Sequence, residues 1–243
     1  GTGNLAKAVG AKGAVVLSLD SLDNGFSRTG FDLLNPSDYT ALKKLIKKRG
    51  IRWIHFAPPC RTFSRARKRD RHAWARKLRS DEEPAGIGPP HLRPWEVTEA
   101  NKLASRTASL AKLAMKAGTF ASIENPEFSF IWKMPAMLAL AKLPGFQAID
   151  GDQCIGGGSY RKPTRWLTNC PWLAFLAARC PGPPEHDVHT PLVGKAETAA
   201  GSWDWKTAFS AEYSAGLAEM MADNYMLNTD DPTEIGGTTI DEE

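Results

Sequence analysis

The chain has 243 residues, 42% of them apolar and 24% charged, with a formal net charge of +4. Those proportions describe an ordinary globular protein, long enough for one large domain with a substantial core. No run approaches the roughly 18 apolar residues of a membrane span, and the opening residues do not read as a signal peptide.

The opening Gly1-Thr2-Gly3, without Met, reads as the start of a fragment or excised domain that lacks its first strand. Residues 4–11 read as a helix and 14–19 as a strand running up to Asp20. Asp32, in Gly30-Phe31-Asp32-Leu33, ends a candidate third strand or simply caps a turn. Asn35-Pro36-Ser37 is a helix start, with Asn as cap and Pro in the first turn, and Gly50 is its stop. Within that helix Leu42, Leu45 and Ile46 are expected to face the core. The apolar run 51–57 predicts a strand leading into Pro58-Pro59-Cys60, and 80–93, rich in Pro and Gly, predicts an irregular loop.

A long helix is expected over 94–116, closed by Gly118, with Leu103, Leu110, Leu113 and Ala114 inward. A strand over 119–123 ends in Glu124-Asn125-Pro126. A helical stretch near 129–142, strands near 146–149 and 166–168, and a last helix over 207–226 follow. Alternating strands and helices predict an α/β domain with a mostly parallel sheet covered on both faces. Residues 228–243 carry six acids and no base, the composition of a disordered linker.

Between Arg61 and Arg79 lie nine basic residues and one acid, interleaved with Phe63, His72 and Trp74. Such a run can be a mere solvated face, but beginning beside a candidate nucleophile it suits a polyanionic substrate. Four cysteines, at 60, 154, 170 and 180, lack disulfide-framework spacing. That favours a reducing, intracellular location, the nucleus in a eukaryote and otherwise the cytoplasm.

Cys60 and Glu124 each follow an apolar run, at the strand ends where α/β sheets place their chemistry. Arg61 and Arg65 could lower the thiol pKa, and Glu124 could act as an acid or as a hydrogen-bond partner to a ring nitrogen. Gly1, Gly3, Asn4 and Leu5 open a helix as a ligand-approaching turn does, and Asp20 could accept ribose hydroxyls. Asp32 could accept from an adenine amino group.

Pro58-Pro59-Cys60-Arg61-Thr62-Phe63-Ser64 together with Glu124-Asn125-Pro126 resembles motifs IV and VI of the cytosine-5 DNA methyltransferase family. Gly1-Thr2-Gly3 resembles the end of that family's first, cofactor-binding motif. The stretch from Gln153 through Arg161 and Arg165 to Trp166 resembles its motif VIII. The resemblance implies a Rossmann-like class I methyltransferase fold plus a small irregular target-recognition region. Residues 1–169 and 205–227 would form the catalytic domain, 170–204 the recognition region, and 228–243 an acidic tail.

It further implies S-adenosyl-L-methionine as methyl donor, held by Gly1, Gly3, Asn4, Leu5, Asp20, Asp32 and Pro58. Cys60 would add to carbon 6 of a flipped cytosine, Glu124 would engage nitrogen 3, and Arg165 and Arg161 would bind the carbonyl. Arg61, Ser64, Arg65, Arg67, Lys68, Arg69 and Asn125 would contact DNA. The enzyme is expected to be monomeric, with no membrane partner and with short or relaxed sequence specificity. The same motifs also serve cytosine-5 methylation of RNA, a tRNA-like substrate. A nucleic-acid-binding module without turnover, and a nicotinamide-dependent oxidoreductase using Asp20, are rivals from other classes.

Cys180, His186 and His189 stand within ten residues of one another, and Cys154 or Cys170 could complete a Cys/His set of the kind zinc prefers. The spacing matches no standard finger, and surface histidines beside prolines are common, so a structural zinc is not among the expected cofactors.

Overall fold

The computed structural model describes residues 3–21, 30–48, 50–65, 77–183, 188–192, 194–197, 201–206 and 210–228. Gly1, Arg67, Lys68, Arg69, His186 and the acidic tail after Asn228 lie outside the described residues. Helix α1 covers Asn4–Ala11, entered through Gly3 at a φ of 72°, the left-handed conformation glycine tolerates. Helix α2 covers Pro36–Lys47, and its cap is the one the sequence predicts: Asn35 accepts from the Ser37 N–H at 2.8 Å. Leu42 and Ile46 are buried along α2, but Leu45 lies at the edge of that narrow stripe and stays 37% exposed.

Strands β1 (Trp53–Phe56), β2 (Phe120–Pro126), β3 (Gln147–Asp152) and β4 (Pro163–Thr168) form one sheet in the order β1-β2-β4-β3. β1 and β2 run parallel, and the 22-residue helix α3 (Trp95–Lys116) lies in the crossover between them. β4 runs antiparallel to both of its neighbours. The α/β class therefore holds, but the expected mostly parallel sheet is mixed. The chain passes from β3 to β4 through a single turn of 3-10 helix at Gln153–Gly156. Without a crossover helix it must reverse direction.

The expected strand over 14–19 reduces to one bridging residue, Leu19. Val15 and Leu17 are 104% and 61% exposed. An extended apolar segment becomes a strand only beside a partner, and among the described residues no strand runs alongside it. Among the described residues no helix is long and apolar enough to cross a membrane.

Both sheet faces are covered. On one, α2, α3 and α4 (Pro135–Ala141) pack Ile46, Leu110, Met137 and Leu140 against Phe56, Ala121, Ile123 and Leu167. α3 meets this face through Ala104, Ala108, Ala111 and Ala114, all buried, and the expected Leu103 and Leu113 only flank that stripe. Small side chains let the helix backbone approach closely, so alanines take most of the central stripe around Leu110.

The other face carries Leu5 of α1 and helix α5 (Ala215–Leu227). It also carries a 3-10 helix at Pro171–Ala177, packed on Trp53, Phe120, Ile149 and Trp166. Leu173 and Leu176 are fully buried there, so residues expected to begin a recognition region belong to the core. α5 starts after Ser214, whose hydroxyl accepts from the Leu217 N–H. The last helix is thus shorter than expected. A two-stranded ribbon, β5 (Lys195–Glu197) with β6 (Trp203–Trp205), stands apart from the sheet.

Candidate active site

Phe56, the last residue of β1, pairs with Ile123 of β2, so Cys60 and Glu124 lie toward the same end of the sheet. Glu124 is not beyond the strand, as its sequence position suggests, but within it. Pairing with Trp166 of β4 extends β2 through Glu124 to Pro126. Successive strand residues face opposite sides. Ile123 and Asn125 turn toward α3, while Ser122 and Glu124 turn toward α5.

The Glu124 side chain is buried, 7% exposed. Its Oε1 accepts from Gln153 Nε2 and from Lys162 Nζ, each at 3.3 Å. Lys162 is the cation that the sequence reading missed. Alternation along β4 explains why it arrives and the two expected arginines do not. Lys162, Thr164 and Trp166 share the face of Glu124; Arg161 and Arg165 share the other. Arg165 donates to both oxygens of Asp150, at 2.6 and 2.7 Å, and Arg161 reaches Asp152 at 3.2 Å. Neither arginine is brought to Glu124.

Cys60 is half-buried in the loop after β1. Burial pushes its thiol pKa above the ordinary value, Lys162 pulls it back, and Glu124 adds to the rise. The thiol therefore rests protonated at neutral pH, and Lys162, not Arg61 or Arg65, supplies the positive charge. Arg65 is turned away: it pairs with Asp81, donates to the Phe128 carbonyl at 2.8 Å and lies over the Phe130 ring. Arg61 is exposed and Ser64 half-buried in the same loop.

The loop itself is fastened to β2. Asn125 Nδ2 donates to the Pro58 carbonyl at 2.8 Å, and the Phe130 N–H donates to the Phe63 carbonyl at 3.0 Å. Asn125 is 1% exposed, so it braces the thiol loop and is not placed to touch DNA. Arg79, the last residue of the basic run, is also structural. Its guanidinium donates to Thr62, Pro84, Asn101 and Val97 and lies 3.8 Å from the centre of the Phe63 ring. Burial lowers its pKa to about 10.

A partly buried polar chain runs beside Glu124. Trp53 Nε1 donates to Ser122 Oγ, which meets His55 Nδ1 at 2.8 Å. His55 Nε2 lies 3.2 Å from the Tyr213 hydroxyl, which accepts from Trp166 Nε1. Burial drops the His55 pKa to about 4 and raises that of Tyr213. Both stay neutral at pH 7.

The residues expected to hold the methyl donor fit it unevenly. Gly3 turns into α1 in the left-handed conformation, with no side chain capping the helix, and Asp20 is half-buried just after Leu19. Backbone donors at a helix start and a nearby carboxylate suit a nucleoside. Asn4 is engaged with the Tyr213 carbonyl, Leu5 lies in the core, and the Pro58 carbonyl is taken by Asn125. Asp32 Oδ1 accepts from the Leu34 N–H at 2.8 Å, the bland turn-capping role.

Of the expected metal ligands, Cys154, Cys180 and His189 converge, their ligand atoms all within 4.8 Å of one another. Cys170 does not join them. It is fully buried beside the Ala121 carbonyl, and burial pushes its thiol up to about 12.

Comparisons with protein-family models, with curated proteins and with solved structures find no match. The site has to speak through its own chemistry.

Proposed function

We propose that this chain methylates carbon 5 of cytosine in DNA, with S-adenosylmethionine as donor, through a covalent adduct at Cys60. One observation carries the reading: Glu124 and Lys162 pair at 3.3 Å at one end of the sheet, and Cys60, on the loop after the adjacent strand, lies near enough for both charges to act on its thiol. Two parallel strands that present the thiol and the carboxyl group toward their carboxyl ends support the Rossmann-like methyltransferase fold that the motifs imply.

The residues divide the work as follows. Cys60 gives up its thiol proton to solvent and adds to carbon 6 of the ring while nitrogen 3 takes up a proton at Glu124, which makes carbon 5 nucleophilic. Lys162 steadies the thiolate that forms and the carboxyl group beside it, while Gln153 orients that carboxyl. Asn125, through Pro58, sets where Cys60 points. Gly3 and Asp20 would hold the donor, whose part is to supply an electrophilic methyl group. Return of the nitrogen 3 proton to Glu124 and loss of the carbon 5 proton to solvent then expel the Cys60 thiolate and restore the ring.

A stacked cytosine is out of reach of a half-buried thiol, so the base enters flipped from the duplex. Exposed Arg61 begins the basic run that would grip phosphates, and binding should weaken steeply with salt. Duplex DNA carrying 5-fluorocytosine, incubated with the protein and the donor, should yield a denaturation-resistant complex that Cys60→Ala abolishes. An adduct that survives in Cys60→Ala sinks the proposal. Transfer of labelled methyl to tRNA but not to DNA would move the same chemistry to RNA.

A further inference from the structure

Cys154, Cys180 and His189 come from three separate stretches of chain, yet their sulfur and nitrogen atoms fall within 4.8 Å of one another. Among the described residues this is the group of metal-ligating type that converges so tightly. Cys180 Sγ and His189 Nε2 are 3.7 Å apart. With zinc bonds of about 2.3 Å to sulfur and about 2.0 Å to nitrogen, a tetrahedron has edges of roughly 3.5 to 3.8 Å. The cluster is one small contraction away from that shape.

Each ligand stands on anchored backbone. Cys154 is 1% exposed in the turn after β3, where the Gln153 N–H donates to Lys162 and the Gly157 N–H to the Cys154 carbonyl. The Cys180 N–H donates to Asp152 Oδ2 at 3.0 Å. The Thr190 N–H, next to His189, donates to the Ser159 carbonyl at 3.0 Å. Asp152 beneath them is 0% exposed, and its Oδ1 has no hydrogen-bond partner. A buried carboxylate with one oxygen outside any hydrogen bond therefore lies beside the two thiols. Arg161 at 3.2 Å and Arg179 at 4.0 Å answer it only from the solvent side.

We infer that Cys154, Cys180 and His189 bind one zinc ion, with the fourth position open to solvent or a further donor. Two thiolates and an imidazole are the soft and borderline donors that zinc selects over magnesium or calcium. Binding replaces the two thiol protons, which leave to solvent, and no oxidation is involved. The ion would staple the turn carrying Gln153 to the loops at Cys180 and His189. It would therefore lie directly behind the partner of Glu124. The inference stands apart from methyl transfer, because its ligands include none of the groups assigned to that reaction.

The test is metal content of the purified full chain, after loading with zinc and removal of excess. About one equivalent is expected, retained in Cys60→Ala and in Cys170→Ala and lost in Cys180→Ser and in His189→Ala. Cobalt in place of zinc should give the intense near-ultraviolet thiolate band and the visible bands of a tetrahedral site. His189 is partly exposed, so its variant should keep the circular dichroism of the parent and show that lost metal is not lost fold. Less than a tenth of an equivalent in the parent, or full loading in the Cys180→Ser, His189→Ala double variant, overturns the inference. So does a Cys154–Cys180 disulfide found by mass spectrometry under reducing purification.

Discussion

Replacing Lys162 with Met tests whether the ammonium is what makes a buried Glu124 tolerable. The two side chains are 13% and 9% exposed and 3.3 Å apart. At an effective dielectric of about 20, a pair at that distance attracts by about 5 kcal/mol. Part of that repays the cost of burying the ammonium, and removing one partner of a buried pair costs about 3 to 5 kcal/mol, so the variant should lose roughly 3 kcal/mol at pH 8. In a domain of this size that is a fall in Tm of about 6 to 12 °C. Glu124→Gln placed on top of Lys162→Met should recover part of the loss, since the neutral amide needs no cation. Iodoacetamide labelling of Cys60 at pH 8 should slow in Lys162→Met, because the charge that favours its thiolate is gone. Urea titrations followed by tryptophan fluorescence measure the stabilities. Strict additivity in the double variant would refute the reasoning.

Two further outcomes rest on buried groups. Arg79→Met should destabilise by about 3 to 5 kcal/mol, because it strands acceptors on Thr62, Pro84 and Asn101 beneath Phe63; a loss under 1 kcal/mol in urea unfolding would show Arg79 to be a surface charge after all. His55 is held near a pKa of about 4 by burial, whereas an unfolded histidine takes a proton near pH 6.5. Stability present above pH 6.5 should therefore drain away as the pH falls toward 4, by up to about 3 kcal/mol. Urea midpoints across that range should fall less in His55→Gln than in the parent, and parallel curves would exclude His55 as the cause.

Local signals in the sequence were strong where the backbone decides for itself. Asn35-Pro36-Ser37 carried its own cap, and α1 and α3 lie where periodicity puts them, to within a residue. Cys60 and Glu124 were legible because each follows a strand-like run. The register of β4 against β2 was not, since nothing in Arg161-Lys162-Pro163-Thr164-Arg165 says which residues face Glu124. Only the pairing Glu124 with Trp166 settles that, and it hands the role to Lys162. The mixed sheet was hidden for a similar reason. Direction depends on what connects β3 to β4, and a ten-residue connection with one turn of 3-10 helix looks like any loop. The segment 14–19 misled in the opposite way: its Val and Leu residues have the propensity, and strand formation needs a neighbour as well.

The turn that carries Gln153 and Cys154 rests on the start of α5 with no side chain between them. A methyl group at Gly156 would lie 2.4 Å from the Leu217 nitrogen, and one at Gly216 would lie 2.4 Å from the Gly156 oxygen. Ser214 Oγ closes the joint by donating to the Gly156 carbonyl at 2.9 Å. Side chains can absorb a displacement by changing rotamer, but backbone against backbone has no such slack. Any shift of the first turn of α5 must therefore arrive at Gln153, and through it at Glu124, almost undiminished. A helix well removed from Cys60 in sequence acts as the seat against which the carboxyl group is aligned.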